Sequence, residues 1–244
     1  MRNIRLTLEF DGTCYAGWQR QINGISVEQK VREAIRKLTG EEPELIGCSR
    51  TDAGVHARRY VCSFRTGSSI PAEKLKYALN NLLPADIVVL ESETADQEFH
   101  ARFSAKGKRY TYTICNREMP PAIARNYVCF FKRPLDAKLM GEAASHLVGK
   151  HDFSSFRNSN SSARSSVRTI FDLTVSRTGD TITISVTGDG FLYNMVRIIA
   201  GTLMEAGLGC ISPADVRDIL EAKDRSKAGK TAPASGLCLE EVFY

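Results

Sequence analysis

No stretch of this 244-residue chain approaches the roughly 18 consecutive apolar residues that a membrane-crossing helix needs. The opening segment Met1-Arg2-Asn3-Ile4-Arg5 carries no apolar core of a targeting signal. Export is therefore not expected, and a cytoplasmic setting is. The chain has no Cys-x-x-Cys pair, and its cysteine count is odd, at seven. That pattern excludes a disulfide framework, so the cysteines read as reduced, mostly buried apolar residues. The four histidines, His56, His100, His146 and His151, stand apart without ligand spacing, so no metal is expected.

What remains is ordinary for a soluble globular protein, with 43% hydrophobic and 25% charged residues. The net charge is +5, a small excess that is unevenly spread. Residues 102–133 carry Arg102, Lys106, Lys108, Arg109, Arg117, Arg125, Lys132 and Arg133 against Glu118 alone. A surface that binds a polyanion needs such clustering, although a solvated basic face has the same composition.

Periodicity divides the chain into two halves. Ile4, Leu6, Leu8 and Phe10 alternate with Arg5, Thr7 and Glu9, which predicts a half-buried strand. Ser26 with Gln29 forms a capping box, apolar residues follow at helical spacing, and Gly40 closes the helix. Strands are predicted near 44–49 and 59–65, a helix from Pro71 to Pro84, and a strand from Asp86 to Glu91. The second half has a strand over Arg109–Ile114 and a helix capped by Asp136 that stops at Gly149. Strands over Arg168–Ser176 and Thr181–Gly188 follow, then a helix from Asn194 to Ala206 and a last helix capped by Ser212 and supported by Asp215. The predicted class is α+β: two ferredoxin-like (RRM-like) units, 1–105 and 106–244, sharing a mostly antiparallel central sheet. Ser154 to Ser166 is serine-rich and reads as a mobile loop.

The richest segment is Cys48-Ser49-Arg50-Thr51-Asp52-Ala53-Gly54-Val55-His56-Ala57. It sets one carboxylate between a cation and a small-residue turn, where nucleophiles and general bases are found. An Asx-turn, with Asp52 bonding its own backbone, accounts for the same residues. His56 fits a structural turn residue better than an acid-base group.

Six segments together resemble the bacterial tRNA pseudouridine synthases of the A type. They are Gly17-Trp18-Gln19, the Ser49–Ala57 segment, and Phe99-His100-Ala101-Arg102-Phe103-Ser104-Ala105 with Lys108-Arg109-Tyr110-Thr111-Tyr112. His151–Phe156 with Ser166–Ile170, Phe191–Leu203 and Ala232–Leu239 complete the set. This chain has Ser49 where the family usually has glycine, and bulky Arg58-Arg59-Tyr60 where it often has smaller residues.

The resemblance implies the pseudouridine synthase fold, a homodimer, and no metal or organic cofactor. It implies isomerisation of uridine to pseudouridine in the anticodon stem-loop of tRNA, at positions 38 to 40. Asp52 is implied as the carboxylate that attacks C1′ or removes a C2′ proton. Either route needs it ionised yet shielded, which burial opposes and a nearby cation favours. Arg197 is implied as that cation, and Tyr110 as the platform on which the freed uracil turns. The target base must leave the stack, and Arg50 is the candidate to fill its place. Leu237 is expected under the base, with Gly236 allowing close approach. Arg58, Arg59, Lys106, Lys108 and Arg157 are expected to hold phosphates.

Two other classes compete. A non-catalytic RRM-like RNA-binding protein would stack bases on Tyr110, Tyr112 and Phe103, but the RRM aromatic signature is absent and a binder has no need for Arg50-Thr51-Asp52. A hydrolase using Asp52 needs a second acid for Mg²⁺, which only distant residues such as Asp11 or Asp189 supply.

Overall fold

The computed structural model describes residues 1–158 and 164–244. The centre of the serine-rich stretch thus lies outside the described residues. Its start differs from a plain loop: Ser154–Phe156 forms a 3₁₀ turn with Ser155 and Phe156 wholly buried.

The chain divides into two compact units, Met1–Lys106 with Leu239–Tyr244, and Gly107–Cys238. The last six residues thus return to the first unit, whereas the sequence pattern runs the second unit to 244. The return of Leu239–Tyr244 to the first unit is a long-range event that no residue near it in sequence signals.

In the first unit, β1 (Arg2–Phe10) lies between β3 (His56–Thr66) and β4 (Ile87–Ala95), antiparallel to both. A two-residue strand, β2 (Ile46–Gly47), pairs with β3 opposite Cys62 and Ser63. The pattern predicts β1 to be half-buried, but Asn3 and Thr7 are buried as well. Asn3 satisfies that burial by donating its side-chain amide to the carbonyls of Asp96 and Phe99. Helix α1 (Val27–Thr39) starts at Ser26, whose hydroxyl accepts the Gln29 N–H, and ends at Gly40 with φ 74°. Only half of the capping box forms, because the Gln29 side chain bonds Glu33 instead. Helix α2 (Ala72–Asn80) packs on β4 and stops short of Pro84. Leu82 and Leu83 both donate to the Leu79 carbonyl, which caps that end.

In the second unit the order is β5 (Gly107–Cys115), β9 (Thr181–Gly188), β8 (Val167–Thr178) and β7 (Gly149–Asp152). Strand β6 (Cys129–Phe130) adds a short parallel pairing to β5. Helix α3 (Ala137–Ser145) is capped by Asp136 and ends at His146, ahead of the predicted stop. Gly149, with φ 113°, opens β7 instead. Helix α4 (Met195–Gly207) packs on α3, and α5 (Asp215–Ala222) packs on the 154–156 turn. Ser212 and Asp215 exchange hydrogen bonds ahead of α5 as the sequence predicts. The final strand, β10, spans Leu237–Phe243. Among the described residues no helix is long and apolar enough to cross a membrane.

Candidate active site

Asp52 lies on the loop from β2 to β3, half-buried, beside an exposed Arg50. The loop is fastened on both sides. Trp18 N–H donates to the Thr51 carbonyl, Gly54 N–H to the Tyr15 carbonyl, and Val55 N–H to Asp52's own carbonyl. Gly54 turns the chain at φ 79°.

Aromatic packing supports the loop from below. Trp18 stacks on Tyr60 with ring centroids 4.1 Å apart, and Phe10 tilts against Tyr60 at 5.5 Å. The Tyr60 hydroxyl donates to the Ser49 carbonyl and accepts the Ser49 N–H at 3.4 Å. Gly17 must be glycine here. Its φ is 89°, and a Cβ would lie 2.3 Å from the Thr51 carbonyl oxygen.

His56 begins β3 and is 6% exposed. Its Nδ1 accepts the Gly12 N–H at 3.0 Å and lies 3.1 Å from Asp11 Oδ1. The amide needs Nδ1 as an acceptor and the carboxylate needs it as a donor, so the two bonds exclude each other. Either one joins the 11–12 turn to the root of the Asp52 loop. Asp11 itself closes that turn, its Oδ1 accepting from the Thr13 N–H and hydroxyl.

The expected phosphate ligands of the first unit already have partners. Arg58 lies 3.3 Å from Glu240, and Arg59 lies 2.9 Å from Glu91. The Arg59 guanidinium holds the Glu91 carboxyl below the usual carboxylate range. Lys106 is exposed at the end of the unit, its N–H donating to the Phe243 carbonyl.

Tyr110, Leu237 and Arg197 belong to the second unit. Tyr110 on β5 is 6% exposed and meets Phe191 edge to face, centroids 5.3 Å apart. Tyr112, two residues on, is wholly buried and donates its hydroxyl to the Pro233 carbonyl at 2.8 Å. Burial pushes the Tyr112 phenol far up and keeps it protonated. That leaves Tyr112 a structural aromatic.

Arg197 sits in the first turn of α4. Its Nε donates to the Ala232 carbonyl and its Nη1 to Asn194 Oδ1, both at 2.8 Å. Ala232 N–H returns a bond to the Arg197 carbonyl at 3.1 Å. Asn194 adopts a left-handed φ of 61°, the kind of local strain that persists where surrounding structure enforces it.

Gly236 has a packing reason of its own. A Cβ there would lie 2.8 Å from the Thr113 carbonyl oxygen and 2.8 Å from the Tyr112 ring. The backbone here passes close to Tyr112 and Thr113. Leu237 follows, 6% exposed, at the start of β10. Lys108 on β5 and Arg157 after the 3₁₀ turn are half-buried.

The basic run between 102 and 133 is carried on several segments. Lys108 and Arg109 lie at the start of β5, and Arg117, Arg125, Lys132 and Arg133 come after its end. Asn194, Ala232 and Phe191, which hold Arg197 and Tyr110, went unremarked as site residues in the sequence. The only signal for them was membership of the 191–203 and 232–239 segments.

Comparison with known proteins bears on the whole chain. The tRNA pseudouridine synthase family matches residues 7–104 and 143–244. The tRNA pseudouridine synthase A of Clostridium kluyveri is 54% identical over 244 residues, covering 100% of both chains. The tRNA pseudouridine synthase A 2 of Clostridium perfringens and the tRNA pseudouridine synthase A of Thermoanaerobacter pseudethanolicus are each 52% identical over 244 residues, again covering 100% of both chains. Among solved structures, a chain of a Cbf5-Nop10-Gar1 complex aligns with 97% of this chain and 48% of its own length, at 12% identity and a TM-score of 0.39.

Proposed function

The chain belongs to the tRNA pseudouridine synthase family, and from that premise we propose that it isomerises uridines 38 to 40 of the tRNA anticodon stem-loop, with Asp52 as nucleophile. That it is an isomerase converting uridine to pseudouridine in tRNA follows from the family itself. The site, the residue roles and the exact uridines are the proposal.

The reaction breaks the C1′–N1 bond and makes a C1′–C5 bond. N1 gains a proton and C5 loses one, so atoms balance without any co-reactant. Asp52 attacks C1′ and expels uracil N1, and the C1′–carboxylate bond breaks when C5 bonds to C1′; Arg197 supplies the cation that favours the ionised carboxylate. Tyr110 holds the freed uracil by stacking while it rotates. Arg50 enters the space left by the flipped base, which offsets the unstacking cost of a few kcal/mol. Leu237 packs beneath the base. Arg58, Arg59, Lys106, Lys108 and Arg157 hold phosphates and so position the RNA. The proposal extends to two ferredoxin-like units per chain, a homodimer, and work in the cytoplasm.

The observation that carries this reading is a half-buried Asp52 on a loop fastened at Thr51, Gly54 and Val55. A catalytic carboxylate must be held still to act, and a surface Asx-turn needs no such support. Support for Arg197 comes from its two short bonds to Ala232 and Asn194, which fix the guanidinium.

The test is tritium release from tRNA labelled at uracil C5, combined with mapping of the modified positions. Release confined to positions 38, 39 and 40 is expected. Binding without release would favour the RRM-like RNA-binding alternative, and release from uridines elsewhere would overturn the assigned location.

A further inference from the structure

The structure assigns Arg225 as a positioning residue for Arg197. This inference rests on the proposed role of Arg197 and goes beyond it.

Arg225 opens a short 3₁₀ turn after α5, Arg225–Lys227, and is half-buried. Asp224 builds that turn by accepting from the N–H and hydroxyl of Ser226. One guanidinium then reaches three acceptors on two segments, Asn158 and the 228–232 stretch. Nε donates to Asn158 Oδ1 at 3.3 Å, Nη1 to the Ala228 carbonyl at 3.1 Å, and Nη2 to Thr231 Oγ1 at 3.2 Å. Only arginine offers donors in a rigid fork wide enough for three such acceptors.

Each segment leads to Arg197. Asn158 N–H donates to the Tyr193 carbonyl at 3.3 Å, and the next residue, Asn194, holds Arg197 Nη1. Thr231 precedes Ala232, which holds Arg197 Nε. The 228–232 segment is pressed onto α4 between these points. Gly229 N–H donates to Thr202 Oγ1 at 2.9 Å, and a Cβ on Gly201 would lie 1.8 Å from the Lys230 carbonyl oxygen. Arg225 therefore fixes both acceptors that orient the Arg197 guanidinium, without touching the substrate itself. Loss of Arg225 frees those acceptors to drift, and small misplacements of a catalytic group are costly.

The experiment measures single-turnover isomerisation, tRNA affinity and thermal unfolding for the native chain, Arg225→Gln, Arg197→Lys and the double variant. Arg225→Gln is expected to slow the chemical step by about tenfold with tRNA affinity within about threefold of native. In the Arg197→Lys background the same change is expected to cost less than about twofold, because the group it positions is gone. Equal losses in both backgrounds, or a loss that only tracks the unfolded fraction, would overturn the assignment. If Arg225→Gln does not fold, Thr231→Val removes one acceptor alone and enters the same comparison, with an unchanged rate counting against the assignment. A fully active Arg197→Lys would instead overturn the role of Arg197, a result that does not involve Arg225.

Discussion

Arg58 and Arg59 each face a carboxylate before any RNA arrives, Glu240 and Glu91 respectively. Exposed pairs of this kind contribute about 0–1 kcal/mol, so a phosphate can displace the carboxylate at little cost. Arg59→Ala should therefore change stability by less than about 1 kcal/mol while reducing the salt slope of tRNA binding by about one unit. Denaturant unfolding and a salt titration of affinity check the two halves separately. Asp152 gives a prediction about pH. Its Oδ1 accepts from the Ser154 hydroxyl and N–H, and the Ser154 hydroxyl holds its carboxyl below the usual range. A depressed folded value means that the bond stabilises above the ordinary carboxylate range and is lost as pH falls through the folded value. The melting-temperature gap between native protein and Ser154→Ala should be open at neutral pH and close in acid. A gap that stays constant through the acid range would contradict it. At this scale the sequence revealed residue types better than their reasons. Gly236 makes room for Tyr112, a contact 124 positions away in sequence, and the contest between Gly12 and Asp11 for His56 joins residues more than forty positions apart.

Helix α4 shows what an element does for the site. Its first turn carries Arg197 and its middle carries Gly201, against which Lys230 lies too closely for any side chain. Gly201→Ala should destabilise by about 1–3 kcal/mol through overpacking and should also lower the isomerisation rate, because the displaced segment holds Ala232. Calorimetry and a rate assay on the same preparation check it, and a full loss of stability with a native rate per folded molecule would contradict it. Helix α1 was legible because Ser26 and Gly40 mark both ends with local chemistry. Strand β2 falls inside the stretch predicted near 44–49, whereas β6 and β7, of 2 and 4 residues, are not predicted. So few residues cannot display an alternation, and partners far away in sequence define them. The second face of β1 was misread for a related reason. Asn3 is held by the carbonyls of Asp96 and Phe99 and Thr7 by Glu91, partners that nothing near β1 announces.

For the whole molecule, the net charge of +5 is small beside the charge of an RNA stem, so tRNA affinity should depend on local contacts and on salt. Affinity should fall linearly on logarithmic axes as salt rises, with a slope of about −0.7 to −0.9 per phosphate neutralised. A flat response would contradict phosphate positioning by Arg58, Arg59, Lys106, Lys108 and Arg157. The proposed homodimer predicts a solution mass twice the 27.0 kDa of one chain, which light scattering checks, and a monomer would contradict it.

The most direct test replaces the Asp52 carboxylate by an amide of the same shape. With tRNA tritiated at uracil C5, the native chain should release label over many turnovers. Asp52→Asn should release none while binding the same tRNA within about threefold of native. Sustained release by Asp52→Asn would show that another group opens the glycosidic bond.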